Sequence, residues 1–164
     1  GMSFHGGLIG IVLVSILFIK IRKIEFLLFT DLLALIAPIG LFLGRIANFV
    51  NSELVGTPTN LPWSVIFIKV DQTPRHPSQL YEAFLEGLLL FVLLNIIFNF
   101  KKTKGYISAY FLILYSLFRI FSEQFRLPDE HLGYIFSYIS MGTILSFVMF
   151  IFGLIILINV KNFK

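Results

Sequence analysis

Cysteine is absent from the 164 residues, which excludes a disulfide framework, a zinc–thiolate site and an enzymic thiol nucleophile. Charge is scarce as well: Asp, Glu, Lys and Arg make up 13% of the chain, where soluble domains carry about 25%. Only three histidines occur, and their spacing matches no metal-ligand motif, so no metal site is expected. The net charge of +4 carries no expectation of nucleic-acid binding. The basic residues stand in short clusters between apolar runs, not on one polar face. No internal repeat is visible, and no basic segment precedes the first apolar run as in a signal peptide.

What the chain does contain is apolar. Hydrophobic residues make up 57%, twenty are phenylalanine, and the mean hydropathy is +0.91. These values predict an all-α, polytopic transmembrane helix bundle, a single domain over 1–164 with about five spans. The spans are expected at 6–19, 26–42, 79–100, 106–125 and 138–160, with Pro38 and Gly40 marking a kink in the second. A polar segment at 45–78 should separate the second and third. Its part around 57–75 reads as a small extramembrane loop, with a strand over 63–70 and a turn at 71–74. Ser78 is the expected N-cap of the third span, with Glu82 in its first turn. Asp31 is expected to reach interfacial water beside the first basic loop.

The basic clusters Lys20/Arg22/Lys23, Lys101/Lys102/Lys104 and Lys161/Lys164 follow spans one, three and five. Five crossings put all three on one side, which the excess of Lys and Arg assigns to the cytoplasm together with the C-terminus. The remaining polar residues then share the outer end: His5, the run from Arg45 to Glu53, Arg75, His76, Glu82 and the stripe Tyr115, Arg119, Glu123, Arg126. The stripe residues are four, four and three apart, one face of a helix. Arg45, Asn48 and Ser52 likewise share a helical face, flanked by Asn51 and Glu53. An arginine at membrane depth costs about 2.5–3.5 kcal/mol on the mildest scale and needs a partner. Two readings stand side by side. Arg119 with Glu123, and Arg45 with Glu53 or Glu82, form structural ion pairs; or the arginines hold an anionic lipid head group, which a guanidinium fork suits.

Three blocks resemble the prolipoprotein diacylglyceryl transferase family: Met2-Ser3-Phe4-His5-Gly6-Gly7, the signature-like Gly44-Arg45-Ile46-Ala47-Asn48-Phe49-Val50-Asn51-Ser52-Glu53-Leu54-Val55-Gly56, and Arg75-His76-Pro77-Ser78-Gln79-Leu80-Tyr81-Glu82 continuing to Glu86-Gly87. A weaker fourth runs from Tyr115 through Arg119, Glu123 and Arg126 to Ser140-Met141-Gly142. Ala47 and Thr143 depart from the family's usual glycine and glutamine. The family has seven spans, so the resemblance implies a C-terminal part lacking the first two.

The resemblance implies a multi-pass enzyme of the bacterial inner membrane, acting at the outer face. It would transfer the diacylglyceryl group of phosphatidylglycerol to the lipobox cysteine thiol of a prolipoprotein signal peptide, releasing glycerol phosphate. No cofactor is implied, and a monomer is expected. Arg45 and Arg119 would clamp the phosphate, and His5 would be the general base or a positioning group. Asn48, Asn51, Glu53, Gly56, Tyr115 and Glu123 would bind or orient substrate, with His76 a competing base. The alternatives are a transporter or channel for an anion, with both arginines along its path, and an inactive fragment of the transferase.

Overall fold

The computed structural model describes residues 4–100, 103–127, 134–135 and 139–162, without the side chains of residues 4–8, 134, 135, 139 and 162. It is a helix bundle. α1 spans Phe4–Arg22 and α2 Phe26–Asn51. A continuous rod then covers Ser78–Phe100. It is built from α3 (Ser78–Glu82), a π-helical stretch (Ala83–Leu89) and α4 (Leu90–Phe100). α5 spans Tyr106–Ser122 and runs into a short 3-10 turn, and α6 spans Met141–Asn162. α2, the rod and α6 are each long and apolar enough to cross a bilayer.

The surface is inverted relative to a soluble protein. Isoleucine, leucine and phenylalanine side chains stand exposed along α1, α2 and α6, as a hydrocarbon solvent allows. Inside, Ala34, Leu90, Leu94 and Ile107 form the buried core, with Leu35, Ile97, Phe111, Leu114 and Phe118 packed on it. Glycines set the closest helix approaches. A Cβ on Gly87 would lie 2.6 Å from the Cβ of Phe42, and one on Gly153 would lie 2.9 Å from Ile113. Small residues at such crossings let backbones meet, the usual basis of packing between membrane helices.

The structure revises four sequence expectations. First, α2 runs past the expected span end at 42 to Asn51, in keeping with the helical face that Arg45 and Asn48 share. Pro38 sits inside this helix, which runs on unbroken. The helix stops at Ser52, whose left-handed backbone (φ 63°) allows the Glu53 N–H to reach the Asn48 carbonyl at 2.9 Å. Second, the strand expected over 63–70 shrinks to β1, Val65–Ile66, antiparallel to β2, Pro74–Arg75. The chain turns instead at Phe67, which is buried edge-on against Phe49 of α2. Third, Pro77 holds the N-cap position. Ser78 is the first helical residue, and its hydroxyl donates to the Leu54 carbonyl at 3.3 Å.

The fourth revision concerns Asp31. It is buried, and its carboxylate accepts the backbone N–H groups of Gly105 (2.7 Å) and Ser108 (2.8 Å) and the Ser108 hydroxyl. Gly105, with φ 87°, opens α5 without a side-chain cap of its own. Asp31 therefore caps α5 from α2, satisfying N–H groups that every helix start leaves open. At the same end Lys104 Nζ pairs with Glu25 Oε2 at 2.6 Å, and Val160 of α6 packs on Gly105. The described members of the three basic clusters thus gather at one end of the bundle.

The loop between α2 and the rod is stapled to the opposite end. Gln79 Nε2 donates to the Glu53 carbonyl, Thr57 N to the Phe125 carbonyl, and Leu127 N to the Val55 carbonyl. Arg75 Nη1 donates to the Gly56 carbonyl at 3.1 Å while its other nitrogens grip the Asp71 carboxylate. Those bonds, with the Thr73 amide, hold the Asp71 carboxyl below its ordinary 3.8. β3 (Tyr134–Ile135) and β4 (Ile139–Ser140) form a second small antiparallel pair ahead of α6.

Candidate active site

Two glutamates on the rod organise the site. Glu82 and Glu86 are four residues apart at the start of the π-helical stretch, and both are fully buried. Glu82 ends α3 and Glu86 lies in the π-helical stretch that follows; at that spacing they share one face of the rod. α2 brings Arg45 to them from one side: Arg45 Nε lies 2.8 Å from Glu82 Oε2, and Nη2 3.4 Å from Glu86 Oε2. α5 brings Arg119 from the other: Nη1 lies 3.2 Å from Glu82 Oε1 and 3.4 Å from Glu86 Oε1. Arg119 Nη2 also pairs with Glu123 Oε2 at 2.7 Å, one turn along its own helix.

Hydroxyls complete the shell. Ser122 donates to Glu86 Oε1 at 3.1 Å, and Ser140 donates to Glu123 Oε1 at 2.8 Å while accepting the Thr143 amide. A Cβ on Gly142 would lie 2.8 Å from Glu123 Oε1, so the first turn of α6 closes directly over that carboxylate. No described donor is aligned for a hydrogen bond with either Glu82 oxygen. Glu82 is held by the two guanidiniums as charges. Arg126 is buried nearby, its backbone bridged to Gly56 and its charge acting on Glu82. Counting it, three arginines balance three glutamates in this region.

The arginines keep donors to spare. A guanidinium has five N–H bonds, and among the described residues Arg45 Nη1 and Arg119 Nε contact no carboxylate. Both side chains are 10–15% exposed. The cluster can therefore offer N–H groups to an oxyanion without first breaking its ion pairs.

The other candidate residues are placed unevenly. Tyr115 lies one turn before Arg119 on α5, its ring stacked on Phe111 at 5.7 Å. Asn48, one turn beyond Arg45, is half-buried, whereas Asn51 and Glu53 are exposed. Among the described residues Glu53 makes no ion pair; it enters the site through its backbone carbonyl, and Arg45 takes Glu82 as its partner. Gly56 is buried where a Cβ would stand 2.2 Å from the His76 carbonyl and 2.8 Å from that of Phe125, so only glycine fits. His76 lies apart from the charges. Its ring packs on Tyr81 and Phe125, Nδ1 is 3.3 Å from the Tyr81 hydroxyl, and that hydroxyl accepts Trp63 Nε1 at 2.8 Å. With Leu61 and Phe121 these rings line an open recess of about 310 Å³. The backbone of His5 is in the first turns of α1, while its side chain lies outside the described residues.

Glu82 and Glu86 are the site residues that sequence reasoning underrated. The signal was available: two carboxylates one turn apart in a span otherwise free of charge need cations at the same depth.

The fold and this cluster define a class, a polytopic membrane protein with a charge-balanced arginine–glutamate site at one end of its bundle. Comparison with known proteins narrows it. The profile of the prolipoprotein diacylglyceryl transferase family matches residues 1–159, and the chain belongs to that family. It is 50% identical over 164 residues to the phosphatidylglycerol–prolipoprotein diacylglyceryl transferase of Rickettsia bellii, covering 98% of this chain and 62% of that protein. The Rickettsia felis enzyme of the same name is 53% identical over 93% of this chain and 60% of its own length. That of Rhodospirillum rubrum is 45% identical over 100% of this chain and 61% of its own length. The chain thus spans about three-fifths of these relatives.

Proposed function

We propose that this chain carries the head-group site of a diacylglyceryl transferase acting at the outer face of a bacterial inner membrane. The observation that carries the reading is the buried cluster in which α2 and α5 each present an arginine with unused N–H groups. Two convergent guanidiniums suit a phosphodiester, and in a low-dielectric setting such donors act strongly. In the reaction, the thiol sulfur of a lipobox cysteine attacks the glyceryl carbon of phosphatidylglycerol. The carbon–oxygen bond to phosphate breaks, a carbon–sulfur bond forms, and glycerol phosphate departs with the electron pair.

Arg45 and Arg119 bind the phosphate and stabilise the charge that grows on the leaving group. Glu123 and Ser140 orient Arg119, and Asn48 and Tyr115 flank the two arginines. Asn51, Glu53 and the Gly56 loop form the rim toward the head group. His5, as a neutral imidazole near neutral pH, takes the thiol proton; His76 positions the aromatic recess. The chain works as a monomer, with its basic end and C-terminus in the cytoplasm. An anion transporter needs polar groups through the whole depth of the membrane, and here the groove between α2, α5 and α6 is lined mainly by apolar side chains such as Phe26, Leu33, Phe111 and Phe152, with Thr30 and Ser108 as its hydroxyls.

The test supplies phosphatidylglycerol and a lipobox peptide to the protein in detergent and follows glycerol phosphate release. Arg45→Ala and Arg119→Ala each abolish turnover in protein that remains folded by circular dichroism. Wild-type rates in either variant refute the clamp.

A further inference from the structure

We propose that Glu82 and Glu86 set the charge of the anion this site retains, admitting a singly charged phosphodiester and expelling a doubly charged phosphomonoester. The inference rests on the transferase reading above and concerns what the two carboxylates add to it.

The substrate and the phosphate-bearing product of that reaction differ in charge. Phosphatidylglycerol is a phosphodiester with one ionisable oxygen, so it is a monoanion. Glycerol phosphate is a monoester whose second ionisation falls near pH 6, as for other phosphate monoesters, so at neutral pH it is largely a dianion. Two arginines with no counter-charge would hold the product more tightly than the substrate, and the site would stall after one turnover.

The structure does not leave the arginines uncompensated. Glu82 and Glu86 are both fully buried and both lie within 2.8–3.4 Å of guanidinium nitrogens from two different helices. Glu123 adds a third carboxylate at 2.7 Å. Each of these two carboxylates contacts both arginines, and Glu86 projects from a π-helical stretch, a distortion frequent at functional sites. An anion on Arg45 Nη1 or Arg119 Nε approaches a cluster that is neutral in sum, with these carboxylates just behind the guanidiniums. Because the carboxylates offset most of the guanidinium attraction, what remains does not repay the desolvation of a second negative charge, a cost that rises with the square of the ligand's charge in a poorly hydrated setting.

The test measures binding of two soluble probes to the full chain in detergent, at about pH 7.5: glycerol phosphate, and its methyl diester, a monoanion with the same glycerol. In unmodified protein the diester binds more tightly. In Glu86→Gln, which keeps shape and removes one charge, affinity for glycerol phosphate rises about tenfold relative to the diester. Glu86→Asp, which keeps the charge, retains the wild-type preference. A purely structural glutamate predicts instead that Glu86→Gln weakens both probes alike, and that result overturns the proposal. So does unmodified protein that binds the monoester as tightly as the diester, a measurement independent of whether any variant folds. The two readings fail separately. Diester preference without diacylglyceryl transfer keeps charge selection and refutes transferase activity of this chain by itself, whereas transfer with equal binding of both probes does the reverse.

Discussion

Gly87→Ala tests how the site is held together, because it acts one residue from Glu86 without touching a charge. The added Cβ would meet Phe42 Cβ at 2.6 Å, its Cα at 2.8 Å and its N at 3.1 Å. Ordinary carbon contacts lie at about 3.5–4.0 Å. Two of the three atoms are backbone, so no rotamer change relieves them and α2 must move away from the rod by roughly 1 Å. Overpacking of this kind costs about 1–3 kcal/mol; replacing glycine by alanine in a helix returns about 1 kcal/mol. Arg45 lies three residues beyond Phe42, so the same movement stretches its 3.4 Å contact with Glu86. Lengthening a charge pair from there by 1 Å loses about 1 kcal/mol at an effective dielectric of 20. The expected net effect is destabilisation by about 1–3 kcal/mol, together with weakened phosphate binding. Gly40→Ala on the same helix is the control, since a Cβ there meets nothing within 4 Å; it should be neutral or slightly stabilising. The measurement is helix loss against rising SDS in mixed micelles. If Gly87→Ala unfolds at the same SDS fraction as Gly40→Ala, the close contact does not locate α2.

Two further outcomes are expected. Asp31→Ala removes the shared cap of α5 and leaves one buried and one partly buried N–H group without this partner, so it should destabilise by about 1–3 kcal/mol and speed hydrogen exchange at Ser108; Asp31→Asn, which keeps one acceptor, should lose less, and unchanged exchange in the alanine variant would remove Asp31 as the cap. Because the chain has no native cysteine, single cysteines at Ser52 and Thr103 report orientation without background: an impermeant maleimide should label the first from outside the cell and the second only after permeabilisation, and the reverse pattern overturns the proposed topology.

The span pattern was legible because it rests on composition and length, which hydrocarbon enforces directly. The Arg119–Glu123 stripe was legible for a similar reason, since a four-residue spacing within one helix needs no tertiary information. Asp31 was misread because its partners, Gly105 and Ser108, are more than seventy residues away. A lone carboxylate near a basic loop looks interfacial until the helix it caps is known. Arg45 had two candidate carboxylates, Glu53 and Glu82, between which spacing could not choose; the structure pairs it with Glu82 and adds Glu86. The strand over 63–70 failed for a local reason, as burying Phe67 against Phe49 outweighs extending a two-residue pairing.

These contacts make α2 a helix fixed at three levels. Asp31 ties its first turns to the start of α5, Phe42 seats its middle against Gly87, and Arg45 closes the far end on Glu82 and Glu86. The arginine is the most costly of the three to place, since a bare guanidinium is disfavoured at membrane depth. Pairing removes that penalty only where the carboxylates arrive in register, and burial of either partner alone costs about 3–5 kcal/mol. The apolar contacts along α2 hold that register. A site built this way separates two roles that an exposed arginine would merge. The inner edges of the guanidiniums are committed to the fold, and the outer edges remain free for an anion whose charge the same carboxylates limit.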